Sequence, residues 1–244
     1  VTPATLNASL PAILTADQFE AAVHALQPRI AVFDCDGTLW ADDSGSAFMR
    51  WSIASGLLAD HAIAWLNQRY ARYQRGEVNE LAICGEMVQV YQGMREADVR
   101  AAAAEFFPTH IEPGIFAEME RVVARLQGQG VQIWAVSSTN NWVVEEGVKR
   151  FQIPPGRVLA AEVEVIDGVV TDRILDVPTD EGKVAALAHS GVSRPDAVFG
   201  NSIHDAAMLE IARRAFPVNP SPALVERSIL QGWPVFHPVV RGAR

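Results

Sequence analysis

Cysteine is scarce in this chain, with 2 in 244 residues. That excludes a disulfide framework, and Cys35 and Cys84 read as ordinary thiols. Long apolar runs are missing too: none approaches the roughly 18 residues that a membrane-spanning helix needs. The opening stretch VTPATLNASLPAIL has no basic segment leading into a long apolar one, so no export signal is expected there. A cytoplasmic place is the default expectation, and a removed earlier segment stays open because the first residue is Val. Positive charge is in deficit, with 20 Lys and Arg against 29 Asp and Glu and a net charge of −9. This balance argues against nucleic acid or a membrane surface as partner, yet it allows an anionic small molecule at a local cationic site. Repeats and low-complexity tracts are absent as well.

What is present is apolar content, at 49%, enough for a sizeable core. Thr15 ahead of ADQFEAAVHALQ reads as a capped amphipathic helix. Short, continuously apolar segments at 30–33, 131–136, 197–200 and 216–218 read as strands covered on both faces, as in a parallel sheet. Helical stretches at 115–126, 142–151, 182–188, 203–213 and 222–231 separate them. The alternation predicts a doubly wound, Rossmann-like α/β core over residues 1–41 and 112–244. Between them, 42–111 holds four helical segments and no convincing strand, which predicts an inserted helical domain. In AEVEVIDGVVTDRIL, Asp167-Gly168 between alternating apolar positions predicts a small β-hairpin.

Ligands of such sheets bind beyond the carboxyl ends of the strands. Asp34 and Asp36 follow the first strand, Ser137, Ser138, Thr139 and Asn140 the second, and Asn201, Ser202, His204 and Asp205 the third. Lys183 opens a later helix. Two carboxylates roughly 6 Å apart repel by about 3 kcal/mol at an effective dielectric near 20. That is enough to protonate one of them unless a cation intervenes. Oxygen donors without a His or Cys cluster favour Mg²⁺, and hydroxyls at strand ends suit phosphate oxygens, so a phosphoryl group is the natural substrate.

Asp34-Cys35-Asp36-Gly37-Thr38, then Ser137, Lys183 and Gly200-Asn201-Ser202-Ile203-His204-Asp205, resemble in order and spacing the four motifs of the haloacid dehalogenase superfamily. The resemblance covers the chain from Ile30 onward, and the helical insertion is similar to the cap of its phosphoserine phosphatase-like branch. It implies that Asp34 attacks phosphorus to give an aspartyl-phosphate, while Asp36 protonates the leaving alkoxide and then activates water. Ser137 and the Ser138 amide would bind phosphate oxygens, and Lys183 would offset charge. Mg²⁺ would be held by Asp34, the Asp36 carbonyl, Asn201 and, directly or through water, Asp205. The dehalogenases lack an acid at the Asp36 position, which argues against that reaction. Asn201 departs from the family pattern, where an acid is usual, and should weaken metal binding.

The resemblance thus implies a hydrolase acting on a small phosphomonoester, with phosphoserine- and phosphocholine-like compounds as candidates. A phosphotransferase or phosphomutase using the same intermediate, and a silent metabolite-binding module, are the alternatives. Within the insertion, Asp43 fits the family's amine-binding acid better than Asp42, although a cap for the helix near Ser44 explains the pair equally. His204 either faces the substrate or is structural. Trp40, Phe48, Trp51 and Trp142 allow an aromatic cage for a quaternary ammonium, against ordinary packing. Arg69, Arg72 and Arg75 read as a solvated helix face. The oligomeric state has no signature in the sequence.

Overall fold

A computed structural model describes residues 10–240. In chain order the elements are β1 (Ile13–Leu14), α1 (Ala16–Ala25), β2 (Ile30–Phe33), α2 (Ser44–Ala54), α3 (Asp60–Gln74), α4 (Glu80–Gln89), α5 (Glu96–His110) and α6 (Ala117–Gly128). They continue with β3 (Gln132–Asn140), α7 (Asn141–Val148), β4 (Val158–Ile166), β5 (Val169–Asp176) and α8 (Glu181–His189). The chain closes with β6 (Ala197–Gly200), α9 (Ala206–Glu210), β7 (Arg214–Pro217), α10 (Pro222–Gln231) and β8 (Val235–Phe236).

Six strands form one sheet in the order β5-β4-β3-β2-β6-β7, parallel throughout except for β5, which returns antiparallel along β4. The apolar strands distribute their side chains with period two between two cores. Ala31, Phe33, Ile133, Ala135, Ala197 and Phe199 face one of them. Val32, Trp134, Val136 and Val198 face the other. On the first face α1 places Phe19 against Phe199, Phe216 and Phe236, with ring centroids 6.0, 5.8 and 4.1 Å away. On the second, Leu187 of α8, Met208 and Leu209 of α9 and Leu224 of α10 cover the sheet. Burial on both faces is why these strands read as unbroken apolar runs.

From β2 the sheet grows in opposite directions, to β3 on one side and β6 on the other. A crevice opens where strand order reverses in this way, so the carboxyl end of β2 is the expected ligand position. Helices α2 to α5 lie between β2 and α6 in the chain. Helix α5 packs on α7, and α4 packs on β3, β4 and β5. The expected hairpin is present: Asp167 and Gly168 take φ of 51° and 77°, and Ile166 pairs with Val169.

Two expectations are corrected. The second strand does not stop at Val136 but runs on through Ser137, Ser138 and Thr139 to Asn140, with a register shift against β4 between Val136 and Asn140. The helix expected over 203–213 is a single 3₁₀ turn, Ile203–Asp205, followed by the short α9. Here the Ser202 and Asp205 side chains satisfy local amides and fix a tight turn instead. The two-residue β1 and β8, which pair in parallel, are too short to leave a sequence pattern.

Candidate active site

The carboxyl ends of β2, β3 and β6 bring the motif residues to one cavity of about 350 Å³, a size suited to a small molecule. Asp34 leaves β2 with its amide bonded to Phe199 O at 2.9 Å, which fixes its backbone to β6. Its Oδ1 accepts from Lys183 Nζ at 2.7 Å and its Oδ2 from Thr38 Oγ1 at 3.0 Å. Lys183, on the first turn of α8, also donates to Asp205 Oδ1 at 2.5 Å and to Val136 O at 3.3 Å. Asp205 in turn accepts the amides of Asn201 and Ser202 on Oδ2, at 2.8 and 2.9 Å. This closed set is almost fully buried, with Lys183 2% and Asp205 1% exposed.

Burial, then the neighbouring Asp205 charge, pushes the Asp34 carboxyl up to about 7 against the pull of Lys183. Burial opposes the lysine charge as well, but Asp205 and Asp34 outweigh it and hold the ammonium above its ordinary range. The α8 start is anchored by Asp180, whose φ of 51° is unusual for a residue with a side chain. Its amide donates to His204 O at 3.1 Å, and its carboxylate meets His204 Nδ1 at 2.8 Å.

Asp36 has a different environment. Its Oδ1 accepts three donors: Trp40 Nε1 at 2.6 Å, the Ser44 amide at 2.9 Å and Ser44 Oγ at 2.6 Å. Its Oδ2 accepts only Thr139 Oγ1, at 2.7 Å. Burial and the charge of Asp43 raise this carboxyl, and the Ser44 and Thr139 hydrogen bonds only partly offset them. Thr139, carried by the extension of β3, also donates its amide to Ser137 Oγ at 3.1 Å.

Asn201 borders the cavity, and its side chain makes no hydrogen bond to any described residue. It sits over Gly37, where φ is +74° and an added Cβ would lie 1.9 Å from Asn201 Nδ2. Glycine is therefore required at that step of the turn. Among the described residues no group of three or more His, Cys, Asp and Glu is placed to hold a metal ion. A cation here would rely on Asp34, the Asp36 carbonyl and the uncommitted Asn201 amide oxygen. That all-oxygen set suits a hard cation such as Mg²⁺.

Asp34, Asp36, Asp43, Ser137, Ser138, Lys183, Asn201 and His204 all line the cavity, and Asp205 does not. Both Asp205 oxygens are turned to Lys183 and the turn amides, so it stands behind the lysine, away from the cavity wall. Asp43 both borders the cavity and caps α2, accepting the Ser46 amide at 2.9 Å. Asp42 turns away towards Gly114.

The aromatic cage is not formed. Trp40, Phe48 and Trp142 are buried, none of the four rings lines the cavity, and Trp40 stacks edge-on to Phe107. The rings fill the space between the insertion and the sheet because apolar area there is shielded from water. Arg69 pairs with Glu86, and Arg72 and Arg75 with Glu77, all outside the cavity. Sequence reasoning missed Thr139 as an Asp36 partner, and with it Trp40 and Ser44. It also missed Tyr70, Tyr73 and Glu80, which complete the cavity wall from α3 and α4. These last three carry no local motif, since only helix packing brings them to the strand ends. Cys35 is buried, while Cys84 borders the cavity; both are free thiols.

The family of haloacid dehalogenase-like hydrolases matches residues 31–210. A histidinol-phosphatase of Neisseria meningitidis serogroup C is 24% identical over 220 residues, covering 86% of this chain and 98% of the relative. A crystal structure of a protein with unknown function from Bordetella pertussis Tohama I is 27% identical, with a TM-score of 0.75 over 85% of this chain and 97% of that one. A phosphoserine phosphatase in a phospho-aspartyl intermediate analogue state shares the fold, at 14% identity and a TM-score of 0.56, over 86% and 92% of the two chains. No described helix is long and apolar enough to cross a membrane. The chain belongs to the haloacid dehalogenase-like hydrolases and shares the fold of a phosphoserine phosphatase.

Proposed function

We propose that the protein hydrolyses a small phosphomonoester through an aspartyl-phosphate on Asp34, with Mg²⁺ as cofactor. The observation that carries this reading is the unlike treatment of two neighbouring acids. Asp34 is paired with a buried ammonium at 2.7 Å, whereas Asp36 has no cation partner and is held by neutral donors. A nucleophile needs the first environment and a proton shuttle the second.

In this reading the donors around Asp36 support Oδ2 as its working oxygen. Trp40 Nε1 and the Ser44 amide are fixed N–H donors, so Oδ1 stays unprotonated. Oδ2 meets only the Thr139 hydroxyl, which can rotate to accept. Oδ2 is therefore the atom that carries the proton to the leaving alkoxide and later takes one from water. Trp40 and Ser44 act as positioning residues for it. Lys183 keeps Asp34 oriented and offsets charge on the phosphoryl oxygens, with Asp205 fixing the lysine. Ser137 and the Ser138 amide hold the phosphoryl oxygens. Mg²⁺, held by Asp34, the Asp36 carbonyl and Asn201, would supply charge stabilisation for the transferring group.

Residues 42–111 act in this reading as a cap that limits the substrate to a small metabolite and excludes water. Candidates include phosphoserine, phosphocholine and, from the name of the Neisseria relative, histidinol phosphate. The test is release of inorganic phosphate from a panel of phosphate esters with Mg²⁺, by wild type and Asp34→Asn. The variant should fold and lose about 10³-fold or more in rate. Turnover near wild type would remove Asp34 as nucleophile. Release that depends on an added sugar acceptor would favour phosphoryl transfer over hydrolysis.

A further inference from the structure

Thr139 joins parts of the molecule that lie far apart in the chain. It sits on the stretch of β3 beyond Val136, where the register against β4 shifts, and it borders the cavity while nearly buried. Its hydroxyl donates to Asp36 Oδ2 at 2.7 Å, and its amide donates to Ser137 Oγ at 3.1 Å. The amide uses Ser137 Oγ as an acceptor, so the Ser137 hydroxyl can still point its hydrogen at a phosphoryl oxygen. Among the described residues, the Thr139 hydroxyl is the one hydrogen-bond partner of Asp36 Oδ2.

The insertion packs directly on this hydroxyl. Gly45, on the first turn of α2, stands so close that an added Cβ would lie 2.7 Å from Thr139 Oγ1. Carbon and oxygen cannot approach that far without one of them shifting. Helix propensity alone would favour alanine over glycine there, so the close approach is what calls for glycine. The preceding residue, Ser44, gives Asp36 Oδ1 both its amide and its hydroxyl, at 2.9 and 2.6 Å. Asp36 is therefore gripped on one oxygen from α2 and on the other from β3, and Gly45 leaves room for the second grip. A hydroxyl suits Oδ2 in both protonation states, since it donates to the carboxylate and accepts from the acid. A fixed N–H donor would serve only the first.

We propose that Thr139 is a positioning residue for the leaving-group proton: its hydroxyl aims Asp36 Oδ2 at the ester oxygen, in the space that Gly45 leaves for it. The proposal rests on the reading of Asp36 as general acid given above, and Thr139 acts through that acid. In the step concerned, the Asp34 carboxylate forms its bond to phosphorus as the bond from phosphorus to the alcohol oxygen breaks. The proton on Asp36 Oδ2 passes to the departing oxygen, and the resulting Asp36 carboxylate accepts the Thr139 hydrogen bond. An acid held in line delivers that proton far more effectively than one free to turn.

Benzyl phosphate and p-nitrophenyl phosphate, each with Mg²⁺, separate this role from a merely structural one. The benzyl alkoxide must be protonated as it leaves, whereas p-nitrophenolate departs as a stabilised anion. The constant kcat/KM covers the steps up to release of the alcohol, and its ratio between the two esters cancels any loss of folded protein. In Asp36→Asn the benzyl to p-nitrophenyl ratio should fall about a hundredfold, the share of a general acid. In Thr139→Val it should fall about tenfold, and Thr139→Ser, which keeps the hydroxyl, should bring it back to within about threefold of wild type. Gly45→Ala should lower the ratio as Thr139→Val does, because the new Cβ displaces the hydroxyl. A ratio that falls in Asp36→Asn but holds in Thr139→Val or Gly45→Ala, or that drops as far in Thr139→Ser as in Thr139→Val, would overturn the proposal and leave the general acid standing. A ratio unmoved in every variant, or wild-type protein active on p-nitrophenyl phosphate alone, would remove the general-acid reading and this proposal with it. Wild-type protein inert on both esters would overturn the phosphatase reading as well.

Discussion

At its amino end β2 meets Asp196, whose Oδ2 accepts the amides of Arg29 and Ile30 at 2.8 and 3.1 Å. At its carboxyl end the same strand delivers Asp34 into a buried group with Lys183 and Asp205. Burial works against ionisation at both places, but the outcomes differ. At Asp196 the two amides, helped by Arg29 and Arg213, prevail and hold the carboxyl below its ordinary range. At Asp34 burial and a second carboxylate prevail and push it up to about 7. One end of the strand uses a carboxylate to hold the sheet together. The other end keeps two carboxylates close together where a bound cation would relieve their repulsion.

The largest effect should come from removing the charge that makes the carboxyl end tolerable. Lys183→Met would leave Asp34 and Asp205 facing each other without a cation, and should cost about 3–5 kcal/mol of stability in urea unfolding together with most of the activity. A cost below 1 kcal/mol would mean that the buried pair carries little of the site's organisation. Next, Gly37→Ala combines an unfavourable φ with a Cβ 1.9 Å from Asn201 Nδ2. It should cost about 1–3 kcal/mol and weaken Mg²⁺ binding as Asn201 is displaced. A metal titration that matches wild type would separate Asn201 from the cofactor.

The smallest effects carry opposite signs at the two ends. The Asp196 contribution, about 1 kcal/mol once its partial exposure is allowed for, is present above the unfolded carboxyl range near pH 4 and fades as pH falls through its lower folded value. Asp196→Asn should therefore lose stability at pH 7 and approach wild type in acid. For Asp34 the folded value lies above the unfolded one, so its contribution is full below about pH 4 and is lost as pH rises through about 7. Measured in EDTA, Asp34→Asn should gain on wild type over that window. Parallel pH profiles for the two variants would erase the contrast between the strand ends.

Much of the carboxyl end was legible because its residues follow apolar strands at short spacing. β2 and β6 have the bounds their composition predicts, and Asp34, Asp36, Lys183 and Asn201 meet in one cavity. The continuation of β3 to Asn140 was not legible, since Ser and Thr after an apolar run read as a turn. That continuation is what brings Thr139 to Asp36 Oδ2. The role of Asp205 was half legible: the motif put it at the site, but only the fold turns it towards Lys183 and away from the cavity. The aromatic residues misled because a buried tryptophan and a ligand-facing one have the same letter. Trp40 is buried and spends its N–H on Asp36. Glu80 and Tyr73 were invisible for a physical reason, as their relation to Asp34 depends on how separate helices pack on the sheet.

The central claim is that Asp34 takes the phosphoryl group. Wild-type protein mixed with substrate and Mg²⁺, quenched in acid within a turnover and digested, should yield the peptide containing Asp34 with the added mass of one phosphoryl group, removable by hydroxylamine and absent from Asp34→Asn. Phosphate release with no modified peptide at any quench time, or with the added mass on a peptide lacking Asp34, would contradict the account.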